Sequence, residues 1–225
     1  MRNAVGAKRI VTDEACMTKL VAPTPEAGSK PAQILAAAGA LFLENGYGAV
    51  SMDAVSKKAN VSKATLYAHF GSKDELFRAM VACECASSAL NGVWDKATAL
   101  PAAEGLRMIG LEFVTFVLSA KALAAHRVVL GEAHRFPELA RAFYEAGPAL
   151  TFGRVNAYLE DVNRRGELAI PDIDMATHQY FGLIKANLHM KLLLCLTERP
   201  SDLTIQRFVD AAVDLFVKGY APPAP

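Results

Sequence analysis

Beginning at Pro31, apolar residues recur every three or four positions, and no stretch alternates over a useful length; that periodicity restricts the chain to helices. Ile34, Leu35, Ala38, Leu41 and Phe42 share one face of a first helix, with Pro31 suited to its first turn and Asn45-Gly46 to its end. Met52, Val55 and Ala59 form the inward face of a short second helix, capped by Ser51 and carrying Asp53 in its first turn. Further on, Leu106, Ile109, Phe113, Phe116 and Val117 line a helix opened by Pro101. Another runs from about Leu123 to Arg135, and Pro137 and Pro148 each suit the start of one more. Arg164-Arg165-Gly166 ends the helix begun at Pro148, and the last two helices cover about Ile173–Thr197 and Ser201–Gly219 around Pro200. The expected fold class is all-α.

Composition removes several alternatives. A chain of 225 residues buries about 70–75% of its unfolded surface, so its core needs neither disulfide nor metal. Four cysteines (Cys16, Cys83, Cys85, Cys195) make no disulfide framework at this length. Cys83 and Cys85 lie about 200° apart on a helix and cannot share one metal, while His178 and His189 are roughly 16 Å apart along theirs. No metal site and no cofactor is expected. No apolar run of about 20 residues suggests a membrane span, and the basic N-terminus lacks a following apolar core, so the default location is the cytoplasm. The motifs G-x-S-x-G, G-x-G-x-x-G, G-x-x-x-x-G-K and H-E-x-x-H are all missing, which argues against an enzyme. A formal net charge of +1 means that any nucleic-acid affinity must be local.

Asn60 is the informative residue of the N-terminal third. A tight link between two short helices needs a left-handed residue, and asparagine is the usual substitute for glycine there. Val61 can then plug the core, Ser62 caps a third helix reaching about His69, and Leu66 and Phe70 hold that helix from inside. Its outer face carries Lys63, Thr65, Tyr67 and His69, and a length of roughly 13 Å suits a major groove. Ser72-Lys73-Asp74-Glu75 is a capping box that starts a fourth helix with Leu76, Phe77, Met80 and Val81 inward. Two short helices at this spacing fit a DNA-reading helix-turn-helix, and equally a plain structural hairpin.

The stretch Ala32–Met80 resembles the DNA-binding head of the TetR family of regulators. The resemblance is carried by Asn60-Val-Ser-Lys-Ala-Thr-Leu-Tyr-Ala-His-Phe70 and Gly71-Ser-Lys-Asp-Glu-Leu-Phe77, with Leu66-Tyr67, Phe70, Lys73 and Leu76-Phe77 in register. Asn60 and Ala64 stand where glycines are common. The resemblance implies that Ser51 meets a phosphate, that Lys63, Ala64 and Thr65 face bases, and that Tyr67 and His69 touch backbone or nearby bases. It also implies that Lys73 bonds a phosphate at the start of the fourth helix. Ser62 joins this DNA-contacting set, although its capping role is an alternative explanation of its presence.

Three regions are expected: an N-terminal arm over 1–30, flexible and carrying more basic than acidic residues, a helix-turn-helix head over 31–80, and a larger antiparallel helical ligand-binding and dimerisation domain over 81–221. One recognition helix supplies too few contacts alone, so a homodimer reading two half-sites of an operator is implied. Tyr180–Leu196 is apolar on more than one face, and Ile205, Phe208, Val209, Ala212, Val213 and Phe216 form a stripe on the last helix; these two helices are the expected pairing surface. Glu132-Ala-His-Arg135-Phe-Pro-Glu-Leu139 with Phe143-Tyr144 resembles the C-terminal region of the AefR-like subgroup, in which Glu132 and Arg135 can pair along the helix. Trp94, Phe113, Phe116, His126, Phe143, Phe152, Tyr158, His178 and Phe181 are candidates to line an effector pocket, each also explicable as core. The implied effector is a small hydrophobic or amphipathic molecule that lowers operator affinity. A helical ligand-binding protein whose head no longer reads DNA is the competing interpretation.

Overall fold

The computed structural model describes residues 25–26, 28–87 and 92–223, so most of the expected N-terminal arm lies outside the described residues. Eleven helices and no strand occur among them: α1 (Lys30–Asn45), α2 (Met52–Lys58), α3 (Lys63–His69), α4 (Lys73–Ser87), α5 (Trp94–Thr98), α6 (Ala102–Val117), α7 (Ala120–Glu132), α8 (Pro137–Ala146), α9 (Pro148–Arg164), α10 (Ile173–Leu193) and α11 (Asp202–Gly219). The helix ends follow their cap chemistry. Ser29, Ser51, Ser62, Ser119 and Ser201 each accept a hydrogen bond from the backbone N–H three residues on. Asn60 takes a left-handed φ of 51°, and Gly166 closes α9 at φ 74°, both as the sequence implies. In the capping box Ser72 accepts from the Glu75 amide at 3.1 Å, while the Glu75 carboxylate reaches one residue further than usual, to the Gly71 amide at 2.9 Å.

Two apolar cores hold the molecule. The first gathers Ile34, Ala38, Phe42, Val55, Leu66, Leu76 and Phe77, and continues into the C-terminal helices through Val129, Leu139, Ala142 and Ala146. The expected boundary between residues 80 and 81 therefore falls inside the continuous helix α4, whose Val81 still belongs to this core. The second core is built by α6, α9, α10 and α11 around Leu106, Ile109, Leu159, Tyr180, Ile184, Val209 and Val213. Tyr180 donates from its hydroxyl to the Leu106 carbonyl at 2.7 Å, and the bare Cα of Gly110 admits that ring, since a Cβ there would stand 2.8 Å from the oxygen.

Two helices end earlier than the periodicity suggests. α7 stops at Glu132 instead of Arg135, where Phe136 and Pro137 start the next helix. α10 stops at Leu193 instead of Thr197: Cys195 is left-handed at φ 56°, the Leu196 amide turns back to Lys191 O at 2.9 Å, and Arg127 donates to the carbonyls of Leu192 and Leu193. Inside α10, Ala186 is non-helical (φ 34°, ψ −144°) and breaks the helix. The five-residue α5 carried too short a pattern to be read. No single helix among the described residues is long and apolar enough to cross a membrane; α6 and α7 have that composition only as a pair bent by 66°.

Candidate nucleic-acid interface and effector cavity

α3 is anchored by the fully buried Leu66 and the half-buried Phe70, which leaves its other side to solvent. Lys63, Ala64, Tyr67 and His69 are exposed and Thr65 is half-exposed; Tyr67 keeps 50% of its surface free. Lys63 pairs with Asp53 of α2 at 2.6 Å, a surface contact of small energy that a phosphate can displace. Ser62 is committed to its cap: its hydroxyl accepts from the Thr65 amide at 3.0 Å and lies 2.8 Å from Thr65 Oγ1. Ser51 is exposed and caps α2 through the Ala54 amide at 3.1 Å.

Lys73, expected at a phosphate, is engaged within the head in this structure. Its ammonium donates to the carbonyls of Tyr47 (2.9 Å) and Val50 (3.0 Å) and sits 4.2 Å from the Tyr47 ring centroid. Burial lowers its pKa from the ordinary 10.5, partly opposed by Asp74 and Glu132. The turn between α1 and α2 leaves carbonyls that no helix satisfies, and Lys73 serves them; it shapes the head. Tyr47 itself stacks on Phe42, meets Phe77 and Phe136 edge-on, and donates its hydroxyl to Asp74.

The same turn receives the C-terminal end of α7. The Glu132 carboxylate accepts from the Gly48 amide, with oxygens at 2.9 and 3.1 Å, so its partner is this amide and not Arg135, whose guanidinium lies over Phe136. A Cβ at Gly46 would stand 2.6 Å from Glu132 Oε1, and one at Gly48 2.9 Å from Oε2, so the glycines make room for the carboxylate.

A cavity opens between α1, α4, α6, α7, α8, α9 and α10, with about 950 Å³ of empty space when its open mouth is counted. Phe113, Phe116, His126, Phe143 and Phe152 of the expected set line it. The other four do not. Phe181 is buried behind the wall, stacked on Phe152 at 4.3 Å; Tyr158 is a core residue whose hydroxyl points to Ala102 O. His178 is exposed, 5.1 Å from the Phe152 ring and 3.8 Å from Asp174, and Trp94 packs against the second core beneath Arg154. Helical period alone cannot tell the wall of a cavity from the layer behind it. The sequence reading missed Lys185 and His189 of α10 and Glu84, Cys85 and Lys121, which also face the cavity. A lysine within the otherwise apolar Tyr180–Ala186 stretch was the available signal. Burial pulls the His126 pKa below 6.5 and, helped by the charges of His126 and Lys185, the His189 pKa down to about 4. Burial lifts the Cys85 thiol to about 11. Among the described residues no group of three or more His, Cys, Asp or Glu is arranged to hold a metal.

Residues 34–80 match the family described as bacterial regulatory proteins, tetR family, and residues 104–222 match the AefR-like transcriptional repressor C-terminal domain. The chain belongs to the TetR family. Its head is 47% identical over 49 residues to the transcriptional activator FasR of Mycolicibacterium smegmatis, a match that spans 22% of either protein. The flavonoid-responsive regulator FrrA is 35% identical and superposes with a TM-score of 0.71, covering 88% of this chain and all of that one. A TetR-family regulator from Mesorhizobium loti, 26% identical, superposes with a TM-score of 0.74 over the same shares. The protein is thus a TetR-family DNA-binding transcriptional regulator. Members of this family are regulators and not enzymes; they bind DNA operators and small-molecule effectors and act as dimers.

Proposed function

We propose that this regulator is a repressor that sits on a palindromic operator as a homodimer and leaves it when a small hydrophobic or amphipathic effector enters the cavity. The observation that carries the reading is α7. Its first half, Lys121 to His126, walls the cavity, while its last turn places Val129 in the head core and Glu132 on the Gly48 amide. An occupant that displaces α7 against α10 therefore tilts the head, and only the differential affinity of the occupant for the two geometries sets the size of the effect.

In this reading α3 enters the major groove, with Lys63, Ala64 and Thr65 toward bases, Tyr67 and His69 toward backbone or nearby bases, and Ser51 toward a phosphate. Ser62 contributes by capping α3 and Lys73 by holding the turn. The expected stripe of α11 (Ile205, Val209, Ala212, Val213 and Phe216) is buried in the chain's own second core, so pairing through α10 and α11 would use the outer faces of these helices. They lie side by side, joined by the Tyr220 hydroxyl donating to Gln179 at 2.6 Å, and expose Met175, Gly182 and Ala186 on one and Ala211 and Leu215 on the other. Small and apolar exposed positions of this kind let two such pairs approach closely. The AefR-like repressor match supports the sign of regulation, and the phenyl-lined cavity together with the similarity to a flavonoid-responsive regulator supports an effector with an aromatic body. The site of action is the cytoplasm, where an operator is accessible.

The test is genomic footprinting of the tagged protein, followed by fluorescence anisotropy on a recovered site. Tyr67→Ala should weaken binding by roughly ten-fold or more while leaving thermal stability and dimer mass unchanged. Undiminished affinity in that variant would refute the assignment of α3.

A further inference from the structure

The polar groups of the cavity do not balance. Six titratable side chains face it: Glu84 and Cys85 from α4, Lys121 and His126 from α7, and Lys185 and His189 from α10. The one carboxylate, Glu84, is paired with Lys121, and the Cys85 thiol stays neutral. Lys185 has no carboxylate within ion-pairing distance among the described residues, although it is half-buried against phenyl rings. His189 Nε2 is fully buried and has no hydrogen-bond partner. His126 is held by its Nδ1 bonding with the Ala122 carbonyl at 2.8 Å, and its ring stands 5.2 Å from that of His189. A cation and an unsatisfied donor, on either side of the break at Ala186 and facing one apolar cavity, are costly unless something else meets them.

We propose that the effector is an organic acid whose carboxylate is held between Lys185 Nζ and His189 Nε2, its apolar body lying among Phe113, Phe116, Phe143 and Phe152. This deepens the proposed function and rests on its reading of the cavity as the effector site. A carboxylate fits better than a single-oxygen anion because it offers two acceptor oxygens to two donors. His189 serves in its neutral Nε2–H form, so only Lys185 needs to be charged. The phenyl rings beside the pair lower the local polarity, which strengthens a contact that would be weak at the surface.

The experiment is isothermal titration of the full-length dimer at pH 7 with three probes on one ring system: 2-naphthoic acid, its neutral methyl ester and 2-naphthol. The acid should bind roughly ten-fold or more tightly than the ester. Lys185→Met and His189→Leu should each remove that preference while ester binding persists, as it does only if the cavity is still formed. Lys185→Arg and His189→Gln, which keep a donor, should retain most of it. Equal binding of acid and ester to the wild type overturns the carboxylate site while leaving the cavity as an effector site. Tighter binding of 2-naphthol, a neutral hydroxyl at pH 7, than of the acid overturns the requirement for a carboxylate. Binding of none of the three overturns both this inference and the reading beneath it.

Discussion

Replacing Glu132 by alanine should loosen the joint between head and body without unfolding either. The carboxylate straddles a single donor, the Gly48 amide, with oxygens at 2.9 and 3.1 Å, so the loss is one charge-assisted hydrogen bond. Such a bond contributes about 1.5–3 kcal/mol when well shielded, and the half-exposed setting of Glu132 places the loss near 1–1.5 kcal/mol. Lys73 also loses a neighbouring negative charge. Thermal unfolding should fall by about 2–6 °C for a chain of this size. Hydrogen exchange at the Gly48 amide should accelerate by roughly five- to ten-fold, whereas amides of α10 should not change. Glu132→Gln, which keeps an acceptor oxygen, should lie between. If Gly48 exchanges at the wild-type rate in Glu132→Ala, the contact does not tie α7 to the head and the proposed route from cavity to DNA fails.

Asn60→Gly should leave stability unchanged, whereas Asn60→Ala should cost about 1 kcal/mol, because alanine keeps the Cβ that φ 51° crowds against the following carbonyl and loses the short polar side chain that lets asparagine tolerate it; chemical denaturation measures both. Gly105→Ala should destabilise by roughly 1–3 kcal/mol, since the added carbon would meet the Tyr158 hydroxyl and stand 2.8 Å from the Ala97 carbonyl, and a thermal melt equal to wild type would contradict that packing. His189 titrates at about 4 in the folded chain against an ordinary 6.5, so the unfolded chain takes up its proton first. Stability should therefore fall as pH drops from about 6.5 toward 4, with no contribution from this group above neutrality, and His189→Leu should flatten that part of the profile.

What could be read from residues alone follows from how local each signal is. The Asn60 turn, the serine caps and the Leu66–Phe70 anchor each depend on a few neighbours in sequence, and their geometry appears as the residue types dictate. Lys73 was legible as a cation beside a helix start, but its partners Tyr47 and Val50 lie 26 and 23 residues away, and no local pattern announces unpaired carbonyls in a distant turn. Glu132 reads locally as a partner for Arg135; only the tertiary meeting of α7 with two glycines makes the Gly48 amide the better one. In the cavity, the phenylalanines were visible as aromatics on apolar helices, yet Phe181 and Phe152 look alike in sequence and differ by one layer in space. Lys185 and His189 were hidden because a basic residue on an apolar helix is ordinarily read as reaching for solvent.

The central claim is that α3 reads DNA twice, once from each half of a symmetric dimer, and hydroxyl-radical footprinting of the wild-type protein on a recovered genomic site tests it most directly. Two equivalent protected patches related by two-fold symmetry about the centre of the site, both lost with Tyr67→Ala, are the result expected here. A single asymmetric patch, or a pair that persists unchanged in that variant, would contradict it.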